Sequence, residues 1–417
     1  MMYMKHNREF ETGANAFIVD NMFSCVAYWT CSGALIAKLT QYFGFSLSVS
    51  NMLLSFQSML LVLQLFGGYA YGRAENRHHF LKRYNLVWRI LLPIVLLSPL
   101  LPKSIGGIVM VVALFSMVAG FQFISPGQNA WMISCVEGKV KSSYYSTRDL
   151  CFMVMFTAVN FLFGIIVDGT VSKGNALVGF ALLGVIEAVL LGVSVYYLLR
   201  KMPPPGEAHA REKGTFWTSV LLPLRDKTFA KILLFNMVWN MSNAFIGSFA
   251  ALYQIRVLEL NYVYVVFWST LGNVLRVVSI PLFARMASRI GWKKVVTIGM
   301  GLVLLTGVLW MFTTKQTYGL MFPIVSLLAP VPNGALGVGL FQFQVQNCPP
   351  EETSIYFSTT AALGGLSAIL GTSMCSTLVE VLTRQSATPA YWLVFGVGIV
   401  GIAITMALTQ RAPLEKR

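Results

Sequence analysis

Charged residues are scarce in this chain of 417 residues. Only 11% of the residues are charged, 16 of them acidic and 31 basic, whereas soluble domains carry about 25%. Hydrophobic residues make up 56% of the chain, and the mean hydropathy is +0.67. This balance excludes an ordinary soluble domain and predicts a membrane protein, with the lipid bilayer as its first partner.

Residues that often carry catalysis or bind metals are also few. The four histidines all lie in polar segments, and the six cysteines show no metal-ligand spacing. Because disulfides form in oxidising compartments, we expect these cysteines to be free thiols that pack within helices. No phosphate-binding loop of the form G-x-x-x-x-G-K-[ST] occurs, which excludes ATP as the driver. The sequence therefore predicts no enzyme, no cofactor and no metal site.

Long apolar runs are what the sequence has in abundance. A run of about 18 apolar residues or more can cross a bilayer as a helix. Six such runs are followed by a basic, Pro-rich break at 200–231 and then by six more. We predict an all-α membrane protein with 12 transmembrane helices in two pseudo-symmetric six-helix bundles. The predicted spans are 15–38, 48–72, 84–101, 104–136, 147–168, 174–199, 229–255, 258–286, 293–313, 317–347, 353–382 and 387–410.

The same runs divide the chain into predicted domains. The start of the chain is polar and shows no cleavable signal peptide, so we expect it to be retained. The break between the two sets of runs predicts a cytoplasmic central loop. The predicted parts are the cytoplasmic N-terminus at 1–14, the N-terminal bundle at 15–199, the loop at 200–228, the C-terminal bundle at 229–410 and the cytoplasmic C-terminus at 411–417.

The net charge of +15 is explained by where the basic residues lie. Arg89 and Arg276 fall within predicted spans, and most other Lys and Arg residues fall in the segments on the side of the N-terminus. Such a bias marks the cytoplasmic side, so both termini are predicted to be cytoplasmic in a multi-pass protein of the cytoplasmic membrane, the cell inner membrane of a bacterium. Topology thus accounts for the charge, and no nucleic-acid partner is predicted. The outer segments hold only Lys38, Lys103, Lys173, Arg256, Lys315 and Arg384.

Two pairs of short stretches repeat between the halves. The loop stretch at 68–73, after the second run, has its counterpart at 284–294, after the eighth run. The stretch at 144–147, which opens the fifth run, matches 356–359, which opens the eleventh. Similar offsets at two independent places indicate an internal duplication, as in transporters built from repeats.

These features together resemble the major facilitator superfamily, in its bacterial type, over essentially the whole chain. That family carries the loop motif G-x-x-x-D-R-x-G-R-K between helices 2 and 3, with an echo between helices 8 and 9. The stretch from Trp131 to Arg148 also resembles its W…R-G-x-Y-F-x-x-R pattern, and Arg148 and Asp149 look like gate residues. The first loop keeps Gly68, Arg73 and Arg77, but Gly72 stands at the Asp position and Glu75 at the second Gly position of the motif. The echo is the better copy. It keeps Arg289, Gly291, Lys293 and Lys294, and Ser288 stands at its Asp position.

The resemblance implies a carrier that works by alternating access. Spans 1, 4, 7 and 10 would line a central cavity for a small-molecule substrate, and the fold would work as a monomer.

Polar stripes occur on these four spans. Asn236, Asn240 and Asn243 share one face of span 7, because they are spaced i, i+4 and i+7. Amides beside aromatic rings suit a neutral polyhydroxylated or heteroaromatic ligand. The alternative is that Asn and Gln join helices by hydrogen bonds. The predicted substrate-binding residues are Tyr28, Trp29, Gln122, Asn129, Trp131, Asn236, Trp239, Asn240, Asn243, Arg276, Asn333, Gln342 and Gln344.

Asp20, in span 1, is the predicted proton-coupling carboxylate. It lies among apolar residues, and ionisable groups inside a membrane are functional candidates. A structural cap or a partner for a basic loop is the alternative. Arg276 could bind an anionic group or pair with a carboxylate, and Glu187 in span 6 is interpreted as a structural partner of Arg89.

Three functions remain open from the sequence. The first is a proton-coupled symporter, a secondary active transporter of a small, neutral, polar solute that is sugar- or nucleoside-like. The second is an exporter of amphipathic drugs or lipids, although span 5 lacks the Gly-Pro-rich motif of many exporters of that family. The third is a membrane sensor or assembly factor without transport.

Overall fold

The computed structural model describes residues 8–31, 33–45, 49, 53, 57, 59–136, 141–171, 174–205, 215–258, 260, 262–385 and 391–411. Its regular structure is helical, and these residues include no β-strand. The rest of the predicted termini and residues 206–214 of the predicted loop lie outside the described residues.

The chain divides into two compact units. Unit 1 comprises Met1–Ser219 and Pro350–Ser358, and unit 2 comprises Val220–Pro349 and Thr359–Arg417. The predicted bundle boundaries at 199 and 229 stay predictions. The helices of unit 1 are α1 (Arg8–Thr30), α2 (Gly33–Tyr42), α3 (Leu63–Arg73), α4 (Arg77–Leu97), α5 (Lys103–Ser134), α6 (Lys141–Val171), α7 (Ala176–Arg200) and α8 (Phe216–Val220).

Unit 2 follows the same plan. One of its helices, α15, begins in the segment Pro350–Ser358, which is assigned to unit 1. The helices are α9 (Leu222–Arg225), α10 (Lys227–Leu252), α11 (Tyr262–Ile290), α12 (Trp292–Met311), α13 (Tyr318–Leu328), α14 (Pro332–Asn347), α15 (Thr353–Gln385) and α16 (Trp392–Arg411).

Each unit packs its helices in the same order. In unit 1, α7 packs on α1 and α4, and α5 packs on α3 and α4. In unit 2, α16 packs on α10 and α12, and α14 packs on α11 and α12. These helices occupy equivalent places in the two sets of predicted spans, so the packing agrees with the internal duplication.

Glycines mark an equivalent close crossing in each unit. A Cβ atom at Gly67 of α3 would collide with the backbone oxygen of Phe123 on α5. A Cβ atom at Gly272 of α11 would collide in the same way with the backbone oxygen of Ser326 on α13. Only glycine allows the two backbones to approach so closely, as in many membrane helix pairs.

An aromatic cluster forms much of the core of unit 2. The rings of Trp310 and Phe395 stack with centroids 5.7 Å apart, and Phe249 packs 4.9 Å from Phe395. The hydroxyl of Tyr253 donates a hydrogen bond of 2.8 Å to the Thr313 carbonyl. Aromatic pairs of this kind each add about 0.5–1.5 kcal/mol beyond the area that they bury, so they fix α10, α12 and α16 together.

The long helices suit a bilayer. Eight helical stretches of the described residues are long and apolar enough to cross a membrane. Their outer faces carry large apolar side chains, such as Ile108 on α5, which is 67% exposed. Lipid tails can cover such faces, so the all-α membrane fold predicted from the sequence is confirmed.

Where the structure describes the chain, two predicted spans are seen to be interrupted. Span 1 breaks between α1 and α2 beside Cys31, and span 10 breaks between α13 and α14 beside Pro330 and Pro332. Proline has no backbone N–H and clashes with the preceding turn, which explains the second break. The alternating Phe-Gln stretch at 341–346, which mimics a strand, lies in α14 and is helical. All six cysteines are free, as predicted.

Candidate functional site

A buried ion pair lies between the helices of unit 1. Asp20 of α1 and Arg89 of α4 are 1% and 0% exposed at their side chains, and an Arg89 nitrogen lies 3.0 Å from Asp20 Oδ2. Ser194 of α7 donates a hydrogen bond of 2.6 Å to Asp20 Oδ1, and Gln128 of α5 donates one of 3.3 Å to Oδ2. Four helices thus meet at one carboxylate, which has a cation and two neutral donors.

This geometry corrects two sequence-based interpretations. Asp20 has polar partners rather than only apolar neighbours, and Arg89 pairs with Asp20 rather than with Glu187. The partners were hidden because each sits on a different helix, and the rotation of a helix about its axis is set by packing. A buried charge requires a partner, however, so the isolated Asp and Arg in neighbouring spans were the available signal.

Glu187 of α7 forms a second polar contact with α1. It is completely buried, and its Oε1 lies 2.7 Å from the Thr30 hydroxyl. Its Oε2 has no hydrogen-bond partner among the described residues. Glu187 therefore has a different environment from Asp20, although both lie between α1 and α7.

Tyr28 lies in an aromatic box. Its ring stacks on Phe121 of α5 with centroids 3.7 Å apart, and it meets the edges of Trp29 and Trp88. Tyr28 is fully buried, whereas Trp29 is 45% exposed. Of the two rings predicted on this span, Trp29 is the exposed one.

Gln122 and Trp131, predicted to bind substrate on α5, both make hydrogen bonds to other parts of unit 1. Gln122 accepts a hydrogen bond of 2.7 Å from Gln64 and donates one of 3.0 Å to the Gln57 carbonyl. The indole of Trp131 donates one of 2.9 Å to the Pro203 carbonyl. Asn129, by contrast, is only partly buried.

The asparagine stripe of α10 is partly used in packing. Asn236 donates a hydrogen bond of 3.2 Å to the Thr360 carbonyl of α15, and Asn240 donates one of 2.8 Å to the Asn236 carbonyl. A Cβ atom at Gly364 would lie within about 3 Å of both amide nitrogens, so this glycine makes room for them. Asn243 is exposed.

The other predicted residues of unit 2 vary in burial. Trp239 and Gln342 are buried, while Arg276, Asn333 and Gln344 are partly exposed. The Arg276 carbonyl accepts a hydrogen bond of 2.7 Å from Ser279. No group of three or more His, Cys, Asp or Glu side chains that could hold a metal ion occurs among the residues described.

The first loop motif packs on the start of α15. Ser354 donates a hydrogen bond of 3.2 Å to the Gly68 carbonyl, and a Cβ atom at Gly68 would lie 2.6 Å from the Ser358 hydroxyl. The two motif arginines make cation–π contacts with tyrosines. The Arg73 guanidinium lies 4.7 Å from the Tyr69 ring centre, and the Arg77 guanidinium lies 5.4 Å from the Tyr71 ring centre.

Arg148, one of the two predicted gate residues, contacts Tyr145 and Met132 of unit 1. Its guanidinium lies 5.7 Å from the Tyr145 ring centre, and one nitrogen lies 3.1 Å from the Met132 sulfur. Asp149 is partly buried beside it.

At the start of α4, burial and the charge of Lys82 lower the pKa of His78.

The second loop motif forms the turn between α11 and α12. Gly291 has a φ of 85°, a conformation that favours glycine, and its N–H donates a hydrogen bond of 2.9 Å to the Ala287 carbonyl. Lys293 donates one of 2.9 Å to the Gln410 carbonyl at the end of α16. Ser288, Arg289 and Lys294 are exposed.

Three functional candidates were missed by sequence reasoning. Gln128 and Ser194 were not among the predicted site residues, and Arg89 was assigned to a different acid. Ser194 lies seven residues after Glu187, which puts both on one face of α7. That spacing was the readable signal.

Comparison with known proteins identifies a family and several solved structures that share this fold. A family model described as Major Facilitator Superfamily matches residues 21–372. No curated protein matches the chain in sequence.

Solved structures resemble the chain along nearly its full length. A bacterial homologue of the iron transporter ferroportin, in an outward-facing state with soaked iron, has a TM-score of 0.72 and 14% identity, covering 95% of this chain and 98% of its own. The human organic anion transporter MFSD10 (TETRAN) has a TM-score of 0.71 and 11% identity, covering 96% and 99%. Identities this low indicate a shared fold only, but the family model covers most of the chain, which therefore belongs to the major facilitator superfamily.

Proposed function

We propose that this protein is a secondary active transporter that moves a small, neutral, polar organic solute, sugar- or nucleoside-like, across the cytoplasmic membrane by alternating access. It works as a proton symporter with Asp20 as a coupling carboxylate. The observation that carries this proposal is the buried Asp20–Arg89 pair within the helices of unit 1.

A buried ion pair of this kind can couple a proton to helix packing. Ionised groups within a membrane are costly and persist where they are paired. A proton on Asp20 removes its negative charge and leaves the Arg89 cation unbalanced, which weakens the link between α1 and α4. Binding of the proton would thereby favour a different arrangement of these helices.

The solute would be held by the polar side chains that packing leaves accessible. Gln122 and Asn236 are engaged between helices, and Asn240 donates a hydrogen bond within α10. Asn129, Asn243, Asn333 and Gln344 are partly or fully exposed. An amide both donates and accepts hydrogen bonds, which matches hydroxyl groups and heteroaromatic rings. In unit 1, the exposed ring of Trp29 supplies a surface on which a ring of the solute can stack.

The test begins with ligand discovery. Thermal stability of the purified full-length protein is measured against sugars, nucleosides, amino acids, organic acids and lipophilic cations. A ligand that binds only the folded protein raises the free energy of unfolding by about 2.7 kcal/mol at 100 times its Kd. The melting temperature rises as a result. We expect a shift with one sugar or nucleoside class.

The active solute is then followed in proteoliposomes. The double variant Asp20→Asn, Arg89→Gln keeps the cluster neutral and tests coupling without stranding a charge. We expect it to equilibrate the solute but to lose accumulation driven by a pH gradient, and Ser219→Ala, in α8, serves as the matched control. Unchanged pH-driven accumulation in the double variant would refute coupling through Asp20.

The second candidate is an exporter of amphipathic drugs or lipids with the same fold. The observation that favours it is the aromatic box of Tyr28, Phe121 and Trp88, next to the exposed ring of Trp29. Thermal shifts with lipophilic compounds alone, and raised drug tolerance on expression, would support this candidate over the symporter.

A further inference from the structure

Glu187 is a buried carboxyl group that the proposed use of Asp20 leaves unexplained. It is 0% exposed, in the middle of α7, and forms no ion pair with any described residue. An isolated carboxylate in such a place would carry a very large desolvation cost, so the charged form needs a cation or several donors. The contacts of Glu187 supply neither.

Hydrogen counting at Thr30 points the same way. The Thr30 oxygen lies 2.9 Å from the Val26 carbonyl, 3.0 Å from the Ala27 carbonyl and 2.7 Å from Glu187 Oε1. A threonine hydroxyl has one hydrogen but can accept as well as donate. When that hydrogen goes to the backbone, the short contact to Glu187 is a hydrogen bond only if the carboxyl group donates it.

The second oxygen agrees with a neutral acid. Glu187 Oε2 has no hydrogen-bond partner among the described residues. A buried carboxylate normally gathers donors on both oxygens, as Asp20 does with Arg89, Ser194 and Gln128. The surroundings of Asp20 therefore favour the charged carboxylate, whereas those of Glu187 favour the neutral acid.

Charge balance completes the case. Asp20 of α1 reaches α7 through Ser194 and pairs with Arg89 of α4, and Cys31 of α1 interacts with Glu187. The other titratable groups of the neighbouring helices are Cys25 of α1, close to Asp20, and Arg148, Asp149 and Cys151 in the first turns of α6, towards the end of α7. Asp20 and Arg89 neutralise each other. The buried cluster is neutral as a whole when Glu187 carries a proton.

We propose that Glu187 is a second proton-binding site, occupied in this conformation while Asp20 is paired with Arg89, and that its proton is exchanged during transport in addition to the one that binds Asp20. Release breaks the O–H bond of the carboxyl group, leaves its electron pair on the carboxylate and passes the proton to water. The exchange step rests on the proposed function, because it deepens the proton coupling assigned to Asp20. The occupied state does not depend on transport.

The occupied state is tested by infrared spectroscopy of the full-length protein in liposomes at neutral pH. We expect a protonated carboxyl C=O band that shifts in heavy water, disappears in Glu187→Gln and persists in Ser98→Ala, which removes a buried hydroxyl that donates to the Val95 carbonyl. The Gln side chain keeps a neutral donor beside Thr30, so the variant should melt close to the native protein. A band that survives in Glu187→Gln, or no band in the native protein, would overturn the proposal.

The exchange step is tested with the solute found by thermal shift. Glu187→Gln should equilibrate that solute at a near-native rate and lose accumulation driven by a pH gradient. Native accumulation in this variant, together with loss of the infrared band, overturns the exchange step. If the native protein itself shows no pH-driven accumulation, the exchange step and the proposed symport both fail, while the infrared result still decides whether Glu187 holds a proton.

Discussion

At the scale of single residues, Asp20 and Arg89 carry the largest predictable energies. Both side chains are buried, so removing one leaves the other charged without its partner. Breaking a buried pair in this way costs about 3–5 kcal/mol, whereas neutralising both groups can cost little. The pair is thus a strong constraint on α1 and α4 but a weak source of net stability.

We predict that Arg89→Gln alone lowers the free energy of unfolding by about 3–5 kcal/mol because Asp20 loses its cation. Adding Asp20→Asn to that variant should restore most of the loss. Denaturation of the purified protein in detergent measures both values. A double variant that is no more stable than the single one would show that the packing of Arg89, rather than its charge, supports the fold.

Sequence reasoning found the acid but not its partner. Asp20 stood out because a carboxylate is rare inside an apolar run, and this depends only on local composition. Its pairing with Arg89 and Ser194 depends on which faces of α1, α4 and α7 meet, which one sequence does not reveal. The same limit applies to Gln122 and Asn236, whose residue types suit a solute and a helix contact equally well.

At the scale of elements, the positions of the spans were predictable and their interruptions were not. A span is recognised from the total hydrophobicity of about twenty positions, so a few polar or helix-breaking residues do not hide it. The break between α1 and α2, beside Cys31, is a local exception of this kind, because the apolar run continues through it. The glycines at helix crossings are intermediate, since glycine is visible in the sequence but its partner helix is not.

We predict that Gly67→Ala and Gly272→Ala each destabilise the protein, because the new methyl group meets backbone oxygen atoms of α5 and α13. Helices must then separate, and overpacking of this kind costs about 1–3 kcal/mol. Gly192→Ala in α7 is the matched control, because a Cβ atom there meets nothing within 4 Å. Melting temperatures of the three variants in detergent test the prediction.

Equal losses at Gly67 and Gly272 would mean that the two crossings are energetic as well as geometric equivalents. A stable Gly67→Ala variant would show that α3 can move away from α5 at little cost. The control should be neutral or slightly stabilised, since alanine is a better helix former than glycine.

At the scale of the whole molecule, the sequence and the structure agree on a duplicated helical membrane protein. The repeat was readable in the loop stretches at 68–73 and 284–294, and the structure shows the same packing order within each unit. The orientation in the membrane is a separate matter. It follows from where the basic residues lie and not from how the helices pack.

Helix α12 offers a direct test of that orientation. Its 20 residues span about 30 Å, the thickness of a hydrocarbon core. Lys294 near its start and Lys315 after its end are both exposed. Lys294 follows the basic second loop motif, so the charge bias places it in the cytoplasm and places Lys315 outside.

We therefore predict that a membrane-impermeant maleimide labels Lys315→Cys in intact cells and labels Lys294→Cys only after the cytoplasmic face is opened. The native chain is the control, because its six free cysteines are buried or partly buried. Labelling in the reverse order would invert the topology and put the loop motifs outside. Labelling of both positions in intact cells would mean that α12 does not cross the membrane, which would contradict the span assigned to it.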